Sequence, residues 1–114
     1  MLTIYHNPRC RKSRETLKLI QESGNEVSIV EYLKKPPSER ELRQLVEKLG
    51  LPVEYLIRTS EKVFIENYKG ESLDSQAWFK ILSDNPILIE RPIVVKGDKA
   101  VLGRPPMNVN KLLS

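Results

Sequence analysis

Leu2-Thr3-Ile4-Tyr5-His6-Asn7-Pro8-Arg9-Cys10-Arg11-Lys12-Ser13-Arg14 holds a strand, a break and the start of a helix in one short stretch. Leu2 to Tyr5 alternates in the manner of a strand, and Pro8 ends it. Ser13 is suited to cap a helix that turns Leu17 and Ile20 inward and closes at Gly24. So quick a change from strand to helix needs a tight loop, and Cys10 lies in that loop. It therefore stands just before a helix N-terminus, where unpaired N–H groups and partial positive charge favour anions. Val27 and Ile29 alternate as a second strand. A strand–helix–strand unit of about thirty residues implies parallel pairing through a right-handed crossover.

Cys10 is the only cysteine of the 114 residues, and the charge of the chain gathers around it. Residues 1–14 hold four of the 19 Lys and Arg and none of the 15 Asp and Glu, so the whole net charge of +4 resides there. Nearby cations favour the thiolate, the nucleophilic form of the thiol. A lone cysteine is more commonly a small buried hydrophobe, but the polar neighbours of Cys10 argue for a working thiol. With one cysteine there is no internal disulfide, so a redox cycle must take its second thiol from another molecule. No apolar run approaches the ~20 residues of a membrane span, and the N-terminus lacks a signal-peptide pattern. A protein of the reducing cytoplasm is expected. The localised charge and an aromatic content of 6% point to a small anion rather than a nucleic acid as partner.

Beyond the first unit, Lys34-Lys35-Pro36-Pro37 breaks the chain. Ser38 and Glu41 form a capping box ahead of Leu42, Leu45, Val46 and Leu49, and Gly50 and Pro52 end that helix. A short helical turn is expected over Val53 to Ile57 and a weak helix over Ser60 to Tyr68. Asp74 or Ser72 caps a further helix carrying Trp78, Ile81 and Leu82, with Trp78 a core residue. Ile93 to Val95 and Ala100 to Leu102 are strands joined by a hairpin, with Gly97 suited to the first central position of a II′ turn. Pro105-Pro106 opens a last helix with Val109, Leu112 and Leu113 inward. The expected architecture is an α/β, thioredoxin-like fold: one domain over 1–114, a central mixed sheet of about four strands, and a helical insertion over about 36–86.

Cys10-Arg11-Lys12-Ser13 has the spacing of a C-x-x-C redox motif with serine at its second position. Pro92 begins a strand in Glu90-Arg91-Pro92-Ile93-Val94-Val95, where an edge or a cis bond is expected; the Arg91-Pro92 bond is expected to be cis. Arg104 follows the hairpin in Gly103-Arg104-Pro105, and Arg58 follows Leu56-Ile57. Together with His6-Asn7-Pro8-x-Cys10, these motifs resemble the glutaredoxin-coupled arsenate reductase family, in matching order over nearly the whole chain.

The resemblance implies that Cys10 attacks arsenate while arginines at 58, 91 and 104 hold the oxyanion and its adducts. Elementary chemistry agrees: a thiolate approaching an oxyanion needs neutralising cations, and the planar fork of arginine grips two oxygens at once. Arginines are ordinarily solvated surface residues. Arg91 and Arg104 depart from that because each precedes proline beside a strand flanking the cysteine loop, whereas Arg58 rests mainly on the resemblance. His6, the sole histidine, either lowers the Cys10 pKa or fixes the loop by a hydrogen bond. Ser13 and Arg14 are expected to donate to the anion, with an N-cap as the other role for Ser13. Arg11 and Lys12 replace the smaller residues often found after the family cysteine. Glutathione is the expected co-substrate and glutaredoxin the partner of a monomer, with no bound cofactor, metal, nucleic acid or membrane. Two other readings stay open: a redox-responsive regulator of the same fold binding RNA polymerase, and a thiol oxidoreductase with a different substrate. Ser13 in place of a second cysteine removes sensing through an internal disulfide from the regulator reading.

Overall fold

The computed structural model describes residues 2–113; Met1 and Ser114, the ends of the expected domain span, lie outside the described residues. Chain contacts define two compact units, one formed by residues up to Lys35 together with those from Arg91 onward, the other by Pro36–Glu90.

The first unit is built on a four-stranded sheet: β1 (Leu2–Tyr5), β2 (Val27–Val30), β3 (Ile93–Lys96) and β4 (Lys99–Leu102), in the order β2-β1-β3-β4. β1 and β2 are parallel, as the strand–helix–strand unit requires, with α1 (Arg11–Glu22) as the crossover. β3 is antiparallel to both β1 and β4. The mixed sheet and its flanking helices are the expected α/β, thioredoxin-like architecture. Leu2, Ile4, Ile20, Val94, Val109 and Leu112 form its core, with Leu17, Val27 and Val101 packed around them. Two-residue alternation buries Leu2 and Ile4 of β1, and in α1 the helical repeat buries Ile20 while Leu17 packs half-buried against the core. In the β3–β4 hairpin Lys96 faces Lys99, and Gly97 has φ +62° while Asp98 is not in the positive region. That is the asymmetry of a II′ turn. A 3-10 turn over Pro106–Val109, which buries Val109, leads into α5 (Asn110–Leu113), which buries Leu112.

Register decides where the site lies. Tyr5 pairs with Ile93, and Ile93 with Leu102. The residues following β1, preceding β3 and following β4 therefore gather at one end of the sheet: His6, Pro92 and Gly103.

The second unit is helical and lies in sequence between β2 and β3. α2 (Glu39–Leu49) carries the complete capping box, Ser38 Oγ accepting from Glu41 N–H and the Glu41 carboxylate accepting from Ser38 N–H, and it ends at Gly50 in the left-handed conformation. α3 spans only Lys62–Asn67, shorter than the sequence pattern suggests. α4 (Ser75–Asp84) is capped by Asp74 rather than Ser72. Trp78 of α4 is buried, with the Phe64 ring stacked at 6.1 Å and the edge of Tyr68 at 5.8 Å. Val53–Leu56 and Pro86–Leu88 are 3-10 turns, joined by the Ile57–Ile89 bridge.

Candidate functional site

Cys10 itself is the N-cap of α1, with extended backbone at φ −93° and ψ 122°. This corrects the placement of Ser13 as the cap. Ser13 lies in the first turn and is fully buried, and its hydroxyl is engaged from two sides. Its Oγ shares a hydrogen bond with His6 Nδ1 at 2.6 Å and accepts from the Asn7 backbone N–H at 3.1 Å. A hydroxyl turned inward to two partners cannot also cap the helix. The loop is held by its own bonds: Arg9 N–H donates to Asn7 Oδ1 at 3.0 Å, an Asx turn, and Cys10 N–H donates to Asn7 O. Arg14 Nη1 donates to the Pro8 carbonyl at 3.0 Å, bracing the same loop from the helix. The helix enters from this fixed turn, so the thiol has a defined direction.

Burial pushes the Cys10 thiol up, but opposing effects outweigh it and the pKa falls below the ordinary value. The largest of these is a hydrogen bond from the Arg91 side chain, followed by the Ser13 N–H, the charge of Arg91 and the Lys12 N–H. The Cys10 side chain closes no cap hydrogen bond of ordinary geometry. The two N–H groups act on the sulfur as the aligned dipoles of a helix start, which need no short contact to favour an anion. Ser13 thus serves the thiolate through its backbone, while its hydroxyl holds the loop.

His6 has its pKa lowered, chiefly by burial; Glu31 opposes this and Arg14 adds to it. A neutral ring follows, bonded to Ser13. Of the two roles open to His6, the geometry displays the hydrogen bond that fixes the loop.

The Arg91-Pro92 peptide bond is cis, as expected, and so is Arg104-Pro105, which the sequence reading did not anticipate. Pro92 is buried, and Arg104 Nη1 donates to the Arg91 carbonyl at 3.2 Å. Cys10, Arg91 and Arg104 thus lie in one unit, Arg104 bonded to the Arg91 carbonyl and Arg91 acting on the Cys10 thiol. Arg58 belongs to the Pro36–Glu90 unit. Its guanidinium meets Glu61 and Glu90, each at 3.1 Å, and its backbone N–H donates to Leu88 O. There it is paired with two carboxylates rather than displayed as a lone cation. Arg11 pairs with Glu15 at 2.8 Å on the exposed side of α1.

Gly103 enters the sequence reading only as part of the Gly103-Arg104-Pro105 motif, and its packing role shows only in the fold. Its N–H donates to Pro92 O at 2.9 Å. A Cβ at this position would stand 2.6 Å from Thr16 Oγ1 and 2.7 Å from Pro92 Cγ. The strand exit therefore lies against both α1 and the cis proline, a closeness only glycine permits. A glycine directly at a strand end was the available signal.

The comparisons with known proteins cover almost the whole chain. The ArsC family model matches residues 5–112. The chain belongs to the ArsC family. An arsenate reductase of Haemophilus influenzae is 47% identical over 116 residues, covering 96% of this chain and 97% of that protein. An uncharacterized protein of Escherichia coli, YfgD, is 46% identical over 112 residues, covering 96% of this chain and 94% of its own length. The structure of an arsenate reductase from Vibrio cholerae superposes with a TM-score of 0.93 at 42% identity, covering 96% of this chain and 95% of that one. For this ArsC-family chain, the matched region contains Cys10, Arg58, Arg91 and Arg104. Among the described residues, no group of three His, Cys, Asp or Glu side chains could hold a metal ion, and no helix is long and apolar enough to cross a membrane.

Proposed function

We propose that this protein reduces arsenate to arsenite with glutathione and glutaredoxin, and that Cys10 is its nucleophile. The observation that carries the reading is the Cys10 thiol at the head of α1, its pKa lowered through Arg91, in a chain of the ArsC family. The Cys10 thiolate attacks arsenic(V) and forms an S–As bond as an arsenate oxygen departs as water. Arg91 and Arg104 offset the oxyanion charge during this approach. Arg58 is the third arginine the family resemblance assigns to the anion; its carboxylate partners Glu61 and Glu90 would then hold its direction. Ser13 contributes its backbone N–H, Arg14 supports the loop with its cation beside the site, and Pro92 backs the thiol.

A glutathione thiol then displaces a second oxygen, giving arsenic bound to two sulfurs. A glutaredoxin thiolate attacks the glutathione sulfur and leaves with it as a mixed disulfide. The electron pair of the broken S–As bond stays on arsenic, which becomes arsenic(III). Hydrolysis of the remaining bond releases arsenite and restores Cys10. Both electrons come from external thiols, so no metal or bound cofactor is required, and a monomer in the reducing cytoplasm suffices.

The test is arsenate-dependent NADPH consumption in a mixture of glutathione, glutaredoxin and glutathione reductase. Turnover is expected with all components and is expected to be slow or absent without glutaredoxin. Arsenate binding with no arsenite formed, whatever the thiol donor, sinks the reading.

A further inference from the structure

Asn108 lies in the 3-10 turn after β4, outside every residue assigned so far to the chemistry. Its side-chain Nδ2 donates to two backbone carbonyls, Leu102 O at 3.1 Å and Arg104 O at 3.2 Å. Its backbone N–H donates to a third, Pro105 O at 3.0 Å. The sequence explains why one asparagine carries this load. Pro105 and Pro106 have no N–H, so this stretch is short of backbone donors just where the chain leaves the sheet. A carboxamide offers two hydrogens from one nitrogen, which matches two carbonyls that stand one residue apart from Gly103.

What Asn108 grips is the segment that aims Arg104. From that segment the bonds continue toward the nucleophile. Gly103 N–H donates to Pro92 O, Arg104 Nη1 donates to Arg91 O, and the Arg91 side chain is the one that most favours the Cys10 thiolate. On its inner side Gly103 is pressed against Thr16, whose hydroxyl is 2.7 Å from Lys12 O and 3.4 Å from Gly103 O. The single hydroxyl proton goes to the nearer carbonyl, so Thr16 supports Gly103 mainly by packing. That leaves Asn108 as the side chain that fixes the carbonyls on either side of Gly103.

We propose that Asn108 is a positioning residue of the oxyanion site, acting through Arg104. The inference rests on the reading that Arg104 grips the oxyanion. Its role is to hold the Leu102–Arg104 turn so that the guanidinium meets the anion without first being ordered. An arginine on a loosened turn keeps its charge but loses part of its preorganisation, and small misplacements in such sites are costly.

The experiment compares wild type, Asn108→Ala, Arg104→Ala and the double variant in the full chain. The probe is arsenate, with sulfate alongside, and the first readout is protection of the Cys10 thiol from iodoacetamide. Steady-state kcat/KM in the coupled assay is the second. Asn108→Ala is expected to weaken anion protection and kcat/KM by about tenfold. In the Arg104→Ala background the same substitution should have almost no further effect, because the group it positions is gone. Loss of thermal stability alone, with protection and kcat/KM at wild-type values, overturns the inference. Equal losses from Asn108→Ala in both backgrounds overturn it too, since the asparagine would then act independently of Arg104. Arg104→Ala without effect on protection removes the oxyanion reading and the inference together, whereas an effect of Arg104→Ala with a silent Asn108→Ala removes the inference only. If Asn108→Ala does not fold, Asn108→Ser keeps the volume loss smaller while still removing the second donated hydrogen, and the same four-way comparison applies.

Discussion

Arg91 supplies the largest of the influences that favour the Cys10 thiolate, and burial opposes it. Removing the arginine should therefore let burial prevail. Arg91→Ala is expected to move the midpoint of Cys10 alkylation against pH upward, to or beyond the ordinary range of a free thiol. A midpoint that stays at the wild-type value would show that the helix start alone activates the sulfur. His6→Ala is expected to leave the midpoint almost unchanged, because the ring is held by Ser13 and is biased toward its neutral form. The same histidine gives a pH signature in stability. Its folded-state pKa lies below the ordinary 6.5, so the unfolded chain takes up the proton first as pH falls. The associated stability is full above the unfolded value and is lost as pH drops through the folded one. With a single histidine in the chain, urea midpoints measured between about pH 7.5 and about pH 5 should fall more steeply for wild type than for His6→Gln. Parallel curves would contradict the buried neutral ring.

Between β4 and α1 the decisive element-scale contact is Gly103. Gly103→Ala puts a methyl group 2.6 Å from Thr16 Oγ1 and 2.7 Å from Pro92 Cγ. Neither neighbour is the free end of a flexible side chain, so the backbone must shift. A loss of about 1–3 kcal/mol is expected, read from chemical denaturation, together with weaker anion protection of Cys10. A fully stable alanine variant would mean that the strand exit can move away from the helix without cost. The elements themselves were largely legible. Alternation marked β1, the Ser38–Glu41 box marked α2, and Gly97 marked the hairpin, because each signal is local. The start of α1 was misplaced by three residues, since Ser13 looks like a cap in sequence but spends its hydroxyl on His6 and Asn7. That engagement depends on the chain folding back, which no local pattern reports. Arg91 and Arg104 stand out from the other arginines because proline follows each one, and their assignment to the anion comes from the family resemblance. Asn108 and Thr16 left no such trace: their partners are carbonyls, which every residue type possesses.

For the molecule as a whole, one thiol and no internal partner set the terms of any redox cycle. Cys10→Ser is expected to be inactive in the coupled assay under every thiol supply, because a hydroxyl is a far poorer nucleophile near neutral pH. Residual turnover in that variant would move the chemistry away from Cys10. There is also a reciprocal side to a nucleophile seated at the head of α1. Whatever the folded protein does to favour the thiolate, the thiolate does to favour the folded protein, since the two are legs of one thermodynamic cycle. The folded-state pKa of Cys10 is lowered from 9.0, so this contribution is complete above the unfolded value and drains away as pH falls through the folded one. Wild type should gain on Cys10→Ser in denaturation midpoint as pH rises from about 6 to about 9; a constant gap would show that the sulfur's charge and the fold are not coupled. Any reagent that converts the sulfur to a neutral adduct breaks the same cycle. A neutral alkyl cap on Cys10 should therefore leave a slightly looser scaffold than the bare thiolate does, whereas an adduct that keeps negative charge at the head of α1 retains what the cap discards.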